Sequence, residues 1–209
     1  MIIPKDLIES INKSFRTFIG NSFRLGLSKQ NSLNYVVEGT SKALSRFPND
    51  FKEVNVIKWF DKFWLYLEVK FSCHDIKVNR KLQPQVNTNI SLSIFQGEDD
   101  DEEKNQLLRA EWDDYNNLNE KHAQPHWHIT SSQSIESTFE KYADTFEKQD
   151  FIELLESEKQ KVFDVKKIHF AMNADWQTNG THLHKIEDEQ QIVNWLQGML
   201  SYLRFELEN

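Results

Sequence analysis

Apolar residues recur along this chain with two different periods, and the switches between them outline its elements. Residues 4–19, PKDLIESINKSFRTFI, place Leu7, Ile8, Ile11, Phe15, Phe18 and Ile19 at helical spacing. Pro4 suits the first turn of that helix, where a missing N–H is harmless. A second helix is expected over Leu33–Phe47, with Leu33, Val36, Val37, Thr40, Leu44 and Phe47 as its stripe. Ser32 is placed to cap it, and Pro48-Asn49-Asp50 to stop it.

The period then drops to two. Val54–Phe60 and Phe63–Cys73 are rich in β-branched and aromatic residues. In the second run Phe63, Leu65, Leu67, Val69, Phe71 and Cys73 alternate with Trp64, Tyr66, Glu68, Lys70 and Ser72. That pattern predicts one buried face and one mixed face, with Asp61-Lys62 as the hairpin turn. Residues 88–96 alternate through Ile90, Leu92 and Ile94, and the return strand, 106–115, through Leu108, Ala110 and Trp112. Between them lie six consecutive acids, Glu98–Glu103, which repel one another and are expected at a solvated tip.

Beyond residue 130 the helical period returns. Ile135, Phe139, Tyr142, Ala143 and Phe146 form one stripe, and a short helix is expected at Phe151–Leu155. Val165–Asn173 reads as a strand with Ile168, Phe170 and Met172 on one face. The last helix, about Glu187–Glu206, carries Ile192, Trp195, Leu196, Met199, Leu200 and Leu203. Without a repeat or a Gly/Pro-rich linker, residues 1–209 read as one α+β domain. The expectation is a single antiparallel sheet of about five or six strands, with N- and C-terminal helices packed mainly on one face.

Composition supports a folded domain. Hydrophobic residues are 38% of the chain and aromatics 12%, enough large side chains to build a core. Cys73 is the only cysteine, so no intrachain disulfide can form; its place on the apolar side of its strand suggests a small buried hydrophobe. The sequence MIIPKDLIES does not read as a signal peptide, and no apolar run is long enough for a membrane helix; a cytoplasmic protein is expected. The net charge of −8 disfavours a general nucleic-acid binder. The balance is uneven, however: residues 1–81 carry +6 and residues 82–209 carry −14.

The candidate chemistry lies in HAQPHWHIT, residues 122–130. As a strand, Trp127 and Ile129 point to the core, and His126 and His128 to the opposite face. The same parity test places Arg109, Glu111, Asp113, Glu68, Lys70 and His169 on that opposite face. Two imidazoles at i and i+2 are close enough to share an ion, and a neighbouring carboxylate would complete a set for zinc or manganese. In that reading His126, His128 and His169 are metal ligands, Glu111 is a ligand or general base, and Arg109 clamps an anion. The competing reading is a partner-binding face made of Trp64, Tyr66, Glu68, Lys70 and Asp113, because aromatic and charged residues together make binding anchors.

Two further arrangements carry less. Asp61, Glu68 and Lys70 resemble the D…E-x-K core of metal-dependent PD-(D/E)xK nucleases, but the Asp–Glu spacing is short and no helical pattern follows. His182 and His184 form a second H-x-H in a loop before the last helix. No P-loop, dinucleotide fingerprint or nucleophile-elbow motif appears.

LLRAEWDDYN, HAQPHWHI and IHFAMNADW, within residues 107–176, together resemble a group of prokaryotic proteins encoded near phage-defence and other conflict genes. That group has no assigned activity to transfer. The resemblance implies an accessory subunit of a multi-protein defence system, binding a protein encoded nearby. The alternative expectation is a metal-dependent hydrolase or nuclease using the sheet-face His/Glu cluster.

Overall fold

The computed structural model describes residues 2–29, 31–47, 50–78, 81–101, 104–115, 125–129, 157 and 186–209. The fold is α+β. The described elements are α1 (Pro4–Phe18), β1 (Leu25–Ser28), β2 (Asn31–Val37), β3 (Ser41–Phe47), β4 (Asp50–Phe60), β5 (Phe63–Val78), β6 (Lys81–Gln96), β7 (Asn105–Asp113), β8 (His126–Ile129) and α2 (Glu189–Glu208). The eight strands pair antiparallel, in the order β1-β2-β5-β6-β7-β8. β4 shares an edge of β5 with β2, and β3 pairs with β4.

The two helices pack on each other at one face. α1 buries Leu7, Ile8, Ile11 and Phe15, the stripe its period predicts. α2 starts where the Asp188 carboxylate accepts from the Gln191 N–H at 2.7 Å, capping an otherwise orphan donor. Gln197 donates to Ser14 across the helix pair, and the Glu189 carboxylate accepts from the Ile3 N–H. α2 lies over the Phe63 side of the sheet: Arg204 stacks on Phe60, whose ring meets Phe63 at 5.0 Å. Leu65, Leu67, Val69, Ile90, Leu92 and Ile94 on that side are fully buried. Asn12 fixes the entry to the sheet, exchanging hydrogen bonds with the backbone of Leu25.

The helix expected over Leu33–Phe47 is two strands. β2 pairs with β1 and β5, and β3 with β4. The apolar positions fit a helical stripe, but the aromatic and β-branched run Tyr35-Val36-Val37 fits a strand as well, and tertiary pairing decides between them. Gly39 marks the break. A Cβ there would lie 2.4 Å from the Val56 backbone nitrogen, so only glycine lets the chain pass this close to β4.

The resulting β3–β4 hairpin lies over the other face of the sheet. Ala43, Ser45, Val54 and Val56 are buried on it, Lys52 reaches Glu68, and Ser41 bonds the Lys104 amino group stacked on Trp64. The sheet is therefore covered on both sides over its β4–β5 end. Trp64 and Tyr66, expected on an open partner-binding face, are each only 4% exposed. The Trp64 indole N–H donates to the Gly97 carbonyl at 2.8 Å, and its ring sits between the Lys104 and Lys58 amino groups.

Other expectations hold or shift. Asp61 makes the β4–β5 turn with φ 43°, a left-handed conformation that aspartate tolerates better than most residues. Of the acidic run, Glu98–Asp101 lie at the β6–β7 turn and are anchored: Asp99 pairs with Lys58, and Lys104 donates to the Asp101 carbonyl. Cys73 is exposed rather than buried; it lies on the stretch of β5 beyond Lys70, the last residue paired with β2. Trp127 and Ile129 occupy the helix side by register, opposite Ala110 and Leu108, yet are 36% and 47% exposed. The expected helices at 135–146 and 151–155 and the strand at 165–173 lie outside the described residues.

Candidate metal site

Register brings the site together. Across the face opposite the helices, one row runs Glu68, Ser91, Glu111, His126, and the next runs Tyr66, Ser93, Arg109, His128. Adjacent strands stand roughly 4.8 Å apart, so a carboxylate on β7 and two imidazoles on β8 fall within reach of one another. The short β8 supplies both histidines because i and i+2 share a face.

Three ligand-type atoms converge. The Glu111 Oε2 atom lies 2.9 Å from His128 Nε2 and 3.5 Å from His126 Nε2, and the two Nε2 atoms are 3.0 Å apart. The circle through three atoms so spaced has a radius of about 1.8 Å. That radius lies within the bond length of zinc to nitrogen and oxygen, about 2.0–2.1 Å, so these three residues would hold such an ion. Two imidazole nitrogens and a carboxylate oxygen at these distances compete for protons, and no single proton bridges all three. A divalent cation accepts all three lone pairs at once.

Arg109 forms an ion pair with the carboxylate. Its Nε is 3.0 Å from Glu111 Oε1, the oxygen that the histidines do not use, and the Arg109 side chain is only 5% exposed. One carboxylate oxygen thereby lies against a buried guanidinium in an ion pair while the other faces the imidazole pair. Such outer partners orient metal ligands. Arg109 is thus placed to position Glu111 rather than to clamp an anion in the open.

The site is tuned toward its ligand form. Burial pushes the Glu111 carboxyl upward, but the hydrogen bond from His126 and the charges of Arg109 and His128 outweigh it and hold the carboxyl below its ordinary range. Burial and the Arg109 charge depress His128, against the partial opposition of Glu111. A carboxylate that stays ionised and an imidazole that stays neutral are the protonation states a metal requires.

Among the sequence candidates, Glu111, His126 and His128 come together, and they are the one such group of metal-ligating residues among the described residues. His169, His182, His184 and His122 lie outside the described residues. Asp113 is on β7 beyond Glu111 and pairs in register with Asn89. Glu68 belongs to another network: it accepts from Asn34 at 2.6 Å, bonds Tyr66 and approaches Lys52 at 3.9 Å. Burial, reinforced by Glu68, raises the Tyr66 hydroxyl well above its ordinary pKa. Asp61 sits in the turn, and Glu68 lies roughly 17 Å farther along β5, so the D…E-x-K residues do not form one site.

Ser91 escaped the sequence reading. It sits in register between Glu68 and Glu111, and its buried Oγ has no hydrogen-bond partner among the described residues. Parity applied to the TNISLSIFQ strand would have placed it on this face.

No helix among the described residues is long and apolar enough to cross a membrane. No family model, curated protein or solved structure matches the chain.

Proposed function

We propose that the protein binds a divalent metal ion, zinc or manganese, through Glu111, His126 and His128, and uses it in metal-dependent hydrolysis. The observation that carries this reading is the convergence of Glu111 Oε2 and the two Nε2 atoms within 3.5 Å of one another. Two histidines and a glutamate, with a further position open to water, make up the ligand set of one class of catalytic zinc sites. The ion would lower the pKa of its bound water and polarise a carbonyl or phosphoryl oxygen. Counting the ion, Arg109, Glu111 and two neutral imidazoles, the site carries a net charge of about +2, which favours an anionic substrate such as a phosphoester. His128, 40% exposed, provides the solvent-facing side.

The test is metal analysis of protein purified without chelating resin, followed by thermal unfolding with added Zn²⁺ or Mn²⁺. Bound metal near one equivalent, or a melting temperature that rises with metal in the wild type and not in H126A/H128A, supports the reading. Metal-free protein whose melting temperature no divalent ion changes rejects it.

A second reading is an accessory subunit of a defence system that binds a co-encoded protein. With Trp64 and Tyr66 buried, its support moves to β8, where Trp127 and Ile129 are exposed. Co-expression with the neighbouring gene products and co-purification at several salt concentrations tests it. Recovery of the lone chain throughout would reject it.

A further inference from the structure

Beyond the metal site, β5 and β6 continue as a two-stranded arm. β2 pairs with β5 only as far as Lys70, and β7 pairs with β6 only as far as Asn89. From Phe71↔Thr88 to Val78↔Lys81, eight paired positions run on with no further strand at either edge among the described residues. At roughly 3.4 Å per residue, that is about 25 Å of ribbon. An isolated two-stranded ribbon is marginal in water, and among the described residues this one is buttressed at its base. Asp114 accepts from the Thr88 N–H at 2.8 Å and from the Asn87 side chain at 3.0 Å, and Ser72 bonds the Tyr115 hydroxyl.

The arm differs in charge from the rest of the chain. Residues 70–81 contain Lys70, Lys77, Arg80 and Lys81 against the single acid Asp75, within a protein of net charge −8. Lys70, His74, Lys77, Lys81 and Gln83 are exposed. Parity puts Lys70, His74, Lys81 and Gln83 on the side that carries Glu111, and Asp75 and Lys77 on the other. The side that carries Glu111 thus extends along the arm with Lys70 and Lys81 as its exposed cations, and Asp113 and Asp114 lie at its base.

We infer that this arm binds double-stranded DNA, lying in the major groove. The groove is about 12 Å wide and admits a two-stranded ribbon, whereas the deep, narrow major groove of duplex RNA does not. The lysines contact phosphates, which carry most of the affinity, and the glutamine and histidine side chains reach toward base edges. The binding does not depend on the metal reading; it adds that a phosphodiester chain is the anionic polymer brought to that face.

The test is fluorescence anisotropy with a labelled duplex DNA of about 25 base pairs, in EDTA, at about 50 and about 200 mM salt. Two phosphate contacts by Lys70 and Lys81, the lysines on that side, give a log–log salt slope of about −2 and roughly a 12-fold loss of affinity between the two conditions. K77Q/K81Q should lower the slope to about −1, while K5Q/K13Q on α1 should leave it unchanged. A metal-induced melting shift retained by K77Q/K81Q would show that this variant folds and that its site is intact. Duplex binding lost in K77Q/K81Q alone supports the inference. No binding by the wild type at the lower salt, the same affinity in K77Q/K81Q, or equal affinity for single-stranded DNA or anionic vesicles would overturn it. If the metal reading fails instead, the melting shift disappears while the anisotropy result stands.

Discussion

Replacing Arg109 with methionine removes a buried guanidinium and leaves its shape largely filled. Three quantities should then move together. Breaking a fully buried ion pair costs about 3–5 kcal/mol because the remaining charge is stranded. Here Glu111 is 21% and His128 40% exposed, so water rehydrates part of what is left, and about 2 kcal/mol is the expected loss. For a chain of this length that lowers the melting temperature by about 4–8 °C. Glu111 also loses the ion-pair partner of its Oε1, so zinc affinity, measured by competition with a fluorescent chelator, should fall about 10–100-fold. The Arg109 charge holds both Glu111 and His128 down, so both pKa values should rise in R109M, with His128 followed by NMR titration. R109K keeps the charge and should recover the pKa values more fully than the metal affinity. An R109M protein with unchanged zinc affinity and an unchanged His128 titration would refute the positioning role, even if its stability fell.

Three other outcomes follow from the same structure. Trp64→Ala should cost about 3–5 kcal/mol in urea unfolding, the range for emptying a buried aromatic site; a loss within about 0.5 kcal/mol would mean an exposed side chain instead. Gly39→Ala forces a Cβ against the Val56 backbone and should cost about 1–3 kcal/mol, read as a lower urea midpoint at constant slope; an unchanged midpoint would contradict the close approach. His128 and Glu111 are both depressed on folding, so each contributes stability above its unfolded pKa and loses it as pH falls through the folded value. Stability should therefore decline first below the ordinary histidine value of 6.5 and again below the ordinary glutamate value of 4.5. H128N should flatten the first step, and an unaltered profile would count against the assignment.

Alternation served better than helical spacing in reading this chain. On β5 and β7 one apolar residue at every second position left little choice, and Phe63–Phe71 and Leu108–Trp112 fell on the expected side. Leu33–Phe47 satisfied both periods, and its fate depended on partners far along the chain, Leu25 and Lys70 for β2 and Val56 for β3. Parity says which side a residue takes but not what covers that side. Trp64 and Tyr66 therefore take the expected face but are buried on it, because β3 is part of their cover. The same limit applies at the site. Parity grouped Arg109, Glu111, His126 and His128, while register, which places Glu111 opposite His126 and Arg109 opposite His128, determines that they meet.

The most direct measurement is an anomalous-difference map from crystals grown with zinc, collected on both sides of its absorption edge. The account predicts a peak about 2.0–2.2 Å from Glu111 Oε2 and from Nε2 of His126 and His128, absent in crystals of H126A/H128A. A wild-type map with no peak at those three atoms, or with the ion bound only elsewhere, would contradict it.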